Sequence, residues 1–477
     1  TIADYVADMR APTPSAAAEL AVFEYQALEN YLEELHLKLK KALYQKLQIE
    51  RMKLERYRLK MNYLHPKMKL REKQQRSVEI EQKLRNIMEK KLNYPIIFVH
   101  GMFGWGENEG INKKMPYWGA TTGSLTDFLN KSGYECYAAS VGPISSAWDQ
   151  ACELYAQLKG TKVDYGAAHA QRHDHRRFGR TYEKPLFEGW SSEKKVHLVG
   201  HSFGGLCIRV LSHLLTYGDP REIEVTGEET SELFKGGHAD LMYSISAICS
   251  PLGVVDTYEV AEKHKLLKPI RASAVFYTCA MGRSPLNGKA VDFHLEQFGL
   301  TNTPGQKDVE HGHQARKLIK KKYKESDDNV VFGLSPKGIE KLNDMVEIVP
   351  SLYYFSFPFN AVEYDENKKK ELARKTDLPL MHLTSFLLLH NSRQKGVDHS
   401  GGNDGLVDVI AACSPPDEPS VQYTEGMDYE AGIWHVMPIR DGDHGTAIGL
   451  LADKDETQNF YLSIMDLLKN IEAKEVK

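Results

Sequence analysis

Val196-His-Leu-Val-Gly-His-Ser-Phe-Gly-Gly-Leu206 is the stretch that decides the fold. Its first four residues form a largely apolar run, as a strand buried inside a parallel sheet requires. Gly200-His-Ser-Phe-Gly204 then matches the pattern G-x-S-x-G, and a helix-forming run follows from Gly205 to Tyr217, stopped by Gly218-Asp-Pro220. The pentapeptide alone is weak, since composition produces it in on the order of one chain in ten. Its position is what gives it weight. A strand that turns directly into a helix must bend sharply, which holds the central serine at strained dihedrals with its hydroxyl at the sheet edge. Glycines on both sides let neighbouring backbone approach. The helix start adds N–H groups that favour negative charge. Ser202 is therefore the candidate nucleophile. The bland alternative is a glycine-rich turn with an incidental serine.

Reading outward, strands and helices alternate. Pro95-Ile-Ile-Phe-Val99, Tyr243–Ile248, Leu352–Phe357 and Trp434–Ile439 read as further strands. Such alternation predicts an α/β protein with a mostly parallel sheet covered on both faces, here in the α/β-hydrolase arrangement. Residues 251–350 and 359–400 are too long for plain loops and are expected to be cap or lid insertions. Residues 251–300 place Val254, Val255, Tyr258, Leu266, Leu267, Ile270, Val275, Phe276, Tyr277 and Met281 in a helix-forming context. Either they cover Ser202 as a lid, or they complete the core.

Acyl transfer needs donors for a developing oxyanion. The backbone N–H of Phe203, just after the nucleophile, is one candidate. The other is the N–H of Met102, because His100-Gly101-Met102 follows the strand ending at Val99. Base and acid must come later in the chain, in the order Ser, Asp, His. His444, in the polar turn Asp441-Gly-Asp-His-Gly445, lies where a loop-borne base would sit. Asp404, in Gly401-Gly-Asn-Asp-Gly405, can accept from its imidazole and fix the tautomer. Asp441 and Asp443 are too close to His444 along the chain to be first choice. His435 is the rival base, although its place within an apolar strand suits a core residue better.

The chain has 477 residues with 42% hydrophobic and 26% charged composition, which is globular and long enough for a catalytic domain with an appendage. The net charge of −4 gives no overall case for nucleic acid or an anionic membrane. Residues 1–93 differ in texture: they are almost free of glycine and carry 19 Lys+Arg against 13 Asp+Glu, a net +6. The remainder carries 42 against 52, a net −10. Residues 1–93 are read as an N-terminal helical extension and 94–477 as the catalytic domain. Within the extension, one helix is expected from Ser15 to about Tyr63 and a second from Lys67 to Lys90, broken by His65-Pro66. Leu28, Leu32, Leu35 and Leu39 form one stripe of the first helix and want an apolar partner. Residues 38–76 hold 14 Lys+Arg and three Asp+Glu, which suits a solvated helical face or a membrane- or partner-binding one. The six cysteines form no CxxC pair, so neither a disulfide scaffold nor a zinc knuckle is indicated. No apolar run is long enough to span a membrane. The sequence begins at Thr1, and either signal cleavage or a later start accounts for that.

A second constellation lies ahead of the serine. Trp148-Asp149 opens a helix, and His169, His173 and His175 follow within a short basic stretch. Imidazoles and carboxylates suit Zn²⁺, yet so many histidines cluster readily by chance, and Arg172, Arg176, Arg177 and Arg180 also fit a plain basic loop.

Gly142-Pro-Ile-Ser-Ser-Ala-Trp-Asp149, Val163-Asp-Tyr-Gly-Ala-Ala-His169 and Arg177-Phe-Gly-Arg-Thr-Tyr182 closely resemble the zinc-containing thermoalkalophilic lipases of Gram-positive bacteria, relatives of the staphylococcal lipases. The resemblance runs from about residue 94 to the end. It implies a secreted carboxylic-ester hydrolase with Ser202, Asp404 and His444 as triad and the Met102 and Phe203 amides as oxyanion donors. It also implies structural zinc on Asp149, His169, His175 and Asp328, within an insertion of about residues 145–185; His173 is not a family ligand. Three departures stand out. Phe203 replaces a polar amide, Cys249-Ser-Pro-Leu-Gly253 lacks the usual His-Asp, and Thr446 stands where the family's calcium site has an acid. Calcium is therefore not expected. The thermophilic members lack residues 1–93; the extension resembles that of esterases from anaerobic Gram-positive bacteria, some like polyester-cleaving enzymes. The expected substrates are acylglycerols or other hydrophobic esters, with aliphatic polyesters among the candidates. Other classes remain open: an acyltransferase using the same triad, or an attachment protein whose N-terminal helices bind a surface or partner.

Overall fold

A computed structural model describes residues 12–64, 73, 92–265, 292–296, 317, 321, 325–374, 379–395 and 401–475. The chain divides into two units, Thr1–Glu89 and Lys90–Lys477. In the first, one helix spans Pro14–Leu64. The Thr13 hydroxyl accepts from Ala16 N–H at 3.2 Å and caps its start. The break expected at His65-Pro66 lies outside the described residues. Leu28, Leu32, Leu35 and Leu39, expected to seek an apolar partner, are exposed. The second helix expected over 67–90 lies outside the described residues.

The second unit is built on a seven-stranded sheet. Its order is Ser420–Gln422, Trp434–Val436, Tyr353–Phe357, Met242–Ile248, Val196–His201, Ile96–Val99 and Cys136–Ala139. Every neighbouring pair is parallel. The inner strands are buried on both faces, which is why they read as continuous apolar runs. One face packs against the helices Ala147–Lys159, Phe203–Tyr217 and Pro336–Met345, through residues such as Leu154, Leu211 and Ile339. The other packs against Leu125–Lys131 and the C-terminal helix Lys454–Glu475, through Leu129, Tyr461, Ile464 and Leu468. This is the α/β-hydrolase arrangement. Glu472 of the C-terminal helix accepts from Asn93 N–H at 2.7 Å and Tyr94 N–H at 3.1 Å, and pairs with His197 at 2.9 Å. It thereby fastens the entry to the first strand. Among the described residues no helix is long and apolar enough to cross a membrane.

Several elements differ from the sequence reading. The strand from Trp434 stops at Val436 rather than Ile439, because Pro438 has no N–H for a ladder bond. Residues Val330, Val331, Ile339, Leu342, Val346 and Val349 belong to the main core, so the cap expected over 251–350 does not include that part. Of the apolar residues expected either to form a lid or to complete the core, Val255 is buried, Tyr258 half-buried and Val254 exposed. Leu266, Leu267, Ile270, Val275, Phe276, Tyr277 and Met281 lie outside the described residues. The short segment 292–296 is tied down firmly. Arg180 grips Asp292 with two bonds of 3.0 and 2.9 Å, and His294 Nδ1 meets buried Glu153 at 2.8 Å.

Candidate active site

Ser202 occupies the turn between the strand Val196–His201 and the helix Phe203–Tyr217, at φ 55 and ψ −126. A non-glycine residue holds such a conformation only where its surroundings over-determine it. They do so here. A Cβ on Gly200 would come within 2.5 Å of the Gly204 backbone, and one on Gly204 within 2.2 Å of the Val99 carbonyl oxygen. Ser202 N–H donates to Ile248 O at 2.9 Å, which fixes the turn to the next strand.

The loop after the first strand presses on this turn: a Cβ on Gly101 would lie 2.8 Å from the Ser202 Cβ. Phe103 N–H donates to Pro143 O and Gly104 N–H to Gly101 O, whereas among the described residues neither Met102 N–H nor Phe203 N–H meets a backbone acceptor. The loop that carries Met102 N–H thus lies against the Ser202 turn, whose following amide is that of Phe203. His100 beneath the loop is buried, which lowers its pKa to about 4; its Nδ1 faces Gly101 O and its Nε2 accepts from Val141 N–H.

His444 Nδ1 lies 2.8 Å from Asp404 Oδ2. The other Asp404 oxygen accepts from Leu406 N–H at 2.9 Å and Val407 N–H at 2.7 Å. The carboxylate is thus oriented before it meets the imidazole, and both side chains are buried. His435, the rival base, is also buried; its Nδ1 faces Tyr354 O and its Nε2 accepts from Glu430 N–H, so it belongs to the core. Asp443 is absorbed by its own turn, accepting from Gly445 N–H, Thr446 N–H and the Thr446 hydroxyl. Asp441 pairs with Arg374.

Sequence reasoning missed two groups. Tyr117 Oη lies 2.7 Å from His201 Nδ1, and His201 Nε2 lies 3.1 Å from the His444 carbonyl oxygen. The Tyr117-Trp118 pair carries no motif signal, and His201 fills only the variable position of G-x-S-x-G. His201, Cys249 and His444 each offer a possible donor atom within 4.8 Å of the others. Hydrogen bonds already occupy both His201 nitrogens and His444 Nδ1.

Asp149, His169, His175 and Asp328 converge, one donor atom from each lying within 4.8 Å of all the others. Asp149 sits in the first turn of Ala147–Lys159, whose Ser146 cap accepts its N–H. His169 Nε2 is 3.2 Å from Asp149 Oδ1 and 3.5 Å from Asp328 Oδ1; His175 Nε2 is 3.5 Å from Asp328 Oδ2. His175 Nδ1 faces Arg176 O at 2.9 Å, which puts its hydrogen there and leaves the Nε2 lone pair facing the acids. Trp148 stacks on His169 with centroids 5.0 Å apart. Burial opposes charge on His169, but Asp149 and Asp328 outweigh it and raise its pKa to about 9. Two imidazole nitrogens and two carboxylates in a dry pocket are a donor set suited to a tetrahedral divalent ion. His173 faces Asp327 instead, at 3.2 Å.

The fold and the serine turn define an α/β-hydrolase, and residues 92–477 match the family model described as lipase-like, C-terminal domain. The chain belongs to that family. It is 34% identical over 390 residues to the lipase of Staphylococcus hyicus, covering 80% of this chain and 58% of that protein. It is 33% identical over 394 residues to lipase 2 of Staphylococcus aureus, covering 80% and 55%. The chain therefore spans little more than half the length of these curated relatives. Among solved structures, S. hyicus lipase superposes with a TM-score of 0.69 at 32% identity, covering 81% of this chain and 97% of that one. EstA of Clostridium botulinum gives 0.67 at 32% identity, covering 81% and 90%. Residues 1–96 separately match the model for the exonuclease VII large subunit, a similarity confined to the helical unit and its junction.

Proposed function

We propose that this chain is a serine carboxylic-ester hydrolase, with residues 94–477 as its catalytic domain and residues 1–93 as a helical extension. The observation that carries the reading is Ser202 held at positive φ in a strand-to-helix turn, next to His201, whose ring meets the His444 carbonyl oxygen while His444 pairs with Asp404. His444 Nε2 takes the Ser202 proton as the oxygen attacks an ester carbonyl. Asp404 keeps the Nδ1 hydrogen in place and stabilises the imidazolium. The Met102 and Phe203 amides receive the oxyanion. His444 then protonates the leaving alcohol, and water repeats the sequence on the acyl-enzyme. The substrates are hydrophobic esters, acylglycerols first and aliphatic polyesters as a further candidate class, and the site of action is extracellular, in keeping with the family.

Asp149, His169, His175 and Asp328 would hold zinc. With four protein ligands and no open position, such an ion supplies structural cross-linking rather than chemistry. The test is ester hydrolysis across p-nitrophenyl acyl lengths for the parent and for Ser202→Ala. Hydrolysis that disappears in the variant, with unchanged circular dichroism, supports the reading; full activity in a folded variant ends it.

A further inference from the structure

A continuous hydrogen-bond chain runs around the serine, and its directions follow from the chemistry of its members. The His444 carbonyl oxygen can only accept, so His201 Nε2, 3.1 Å away, carries the imidazole hydrogen. A neutral ring then has a lone pair at Nδ1, and the Tyr117 hydroxyl at 2.7 Å donates to it. Having given its one hydrogen, the Tyr117 oxygen accepts from Gly101 N–H at 3.0 Å. Neutrality of His201 is secured by complete burial, with His444 and His100 nearby also opposing its charge. Tyr117, His201 and His444 are all buried, so no water competes for these bonds.

The endpoints matter. Gly101 immediately precedes Met102, and His444 O belongs to the residue whose ring is aligned by Asp404. His201 immediately precedes Ser202. We propose that Tyr117 and His201 are positioning residues that lock the oxyanion loop at Gly101–Met102 to the backbone of His444, setting both about the nucleophile. This rests on the reading of Ser202, Asp404 and His444 as the triad with Met102 N–H as an oxyanion donor. An oxyanion donor works within a few tenths of an ångström of its ideal distance, and a misplacement of about 1 Å can cost about 100-fold in rate. Neither Tyr117 nor His201 needs to touch substrate to have such an effect.

Tyr117→Phe removes the acceptor of Gly101 N–H and the donor to His201 while keeping the ring. We expect kcat to fall roughly 10- to 100-fold with KM changed less than about threefold. A trifluoromethyl ketone, which forms the tetrahedral adduct, should lose affinity in step with kcat/KM. A merely structural role would lower the melting temperature without that proportionality. His201→Gln keeps an acceptor and a donor on one side chain and should retain clearly more activity than His201→Leu; this pair carries the test if Tyr117→Phe does not fold. A Tyr117→Phe enzyme within twofold of the parent, unchanged ketone affinity, or equal activities of the two His201 variants overturns the proposal. A fluorophosphonate label separates it from the underlying reading. Labelling away from Ser202, or an active Ser202→Ala enzyme, defeats the triad and the relay with it. Labelling at Ser202 with an undisturbed Tyr117→Phe enzyme defeats the relay alone.

Discussion

Asp404 holds His444 twice: its Oδ2 meets the ring Nδ1 at 2.8 Å, and its carbonyl oxygen accepts the His444 N–H at 2.8 Å. The second bond is independent of the side chain, so removing the carboxylate charge leaves the base in place but with its tautomer unfixed. Asp404→Asn should therefore keep the fold and lower kcat by about 10³- to 10⁴-fold, as expected when an amide replaces the orienting acid. Steady-state hydrolysis of p-nitrophenyl butyrate checks this. A loss below tenfold would remove Asp404 from the triad.

The Asp149–His169–His175–Asp328 cluster joins the helix Ala147–Lys159 to the loop that precedes Val330 in the main core. An ion bound there stabilises the folded state by about 2.7 kcal/mol when its concentration is 100 times its dissociation constant. Elemental analysis should find near-stoichiometric zinc. Chelation should lower the melting temperature before it lowers the initial rate. Added calcium should change little, since Thr446 supplies only a hydroxyl, itself bonded to Asp443. Zinc-free protein with an unaltered melting temperature would contradict the first expectation, and a large rise with calcium the second.

Asp408 makes stability depend on pH. Burial, with Asp256 and Asp404 nearby, raises its pKa to about 6, although Asp256 N–H donates to it at 2.8 Å. The folded state thus binds this proton more tightly than the unfolded chain does. Its favourable contribution is fully present below about pH 4 and is lost as pH rises from there through about 6. Asp408→Asn retains an acceptor for Asp256 N–H and has no charge to bury. It should melt higher than the parent at pH 7.5 and together with it at pH 4. A difference independent of pH would show that Asp408 does not titrate as described.

How much of this was legible follows from where each signal resides. The strands over Val99, Val199 and Ile248 are buried on both faces, so their apolar runs survive in the sequence. The edge strand Ser420–Gln422 is exposed throughout and left no pattern. The C-terminal helix does carry one, with Phe460, Ile464, Leu467, Leu468 and Ile471 at helical spacing. Ser202, Asp404 and His444 are proposed from motif, turn chemistry and chain order. The convergence of Asp149, His169, His175 and Asp328 follows from the family resemblance instead, because carboxylates so distant in sequence carry no spacing signal. Tyr117 was invisible for the same reason. Its partner His201 lies 84 positions away, and only the fold brings them together.

The catalytic unit begins with a fastened residue pair: Asn93 and Tyr94 N–H both donate to Glu472, which in turn meets His197 inside the sheet. Leu92 and Tyr94 then pack, partly buried, against the same apolar cluster as Tyr461 and Ile464. Upstream, Leu28, Leu32, Leu35 and Leu39 are exposed along a helix that also carries much of the basic stretch from Lys38 to Arg76. Exposed ion pairs contribute only about 0–1 kcal/mol each, so charge alone would not make this segment essential to the hydrolase fold. Deleting residues 1–71 should leave soluble, active enzyme with a melting temperature close to that of the parent. An apolar and cationic helical surface should matter most where substrate forms an interface. The truncated enzyme should therefore match the parent on dissolved p-nitrophenyl acetate and fall below it on emulsified triacylglycerol or polyester film. An insoluble or inactive truncated protein would make the extension an integral part of the catalytic fold, and equal rates on film and in solution would remove its role at surfaces.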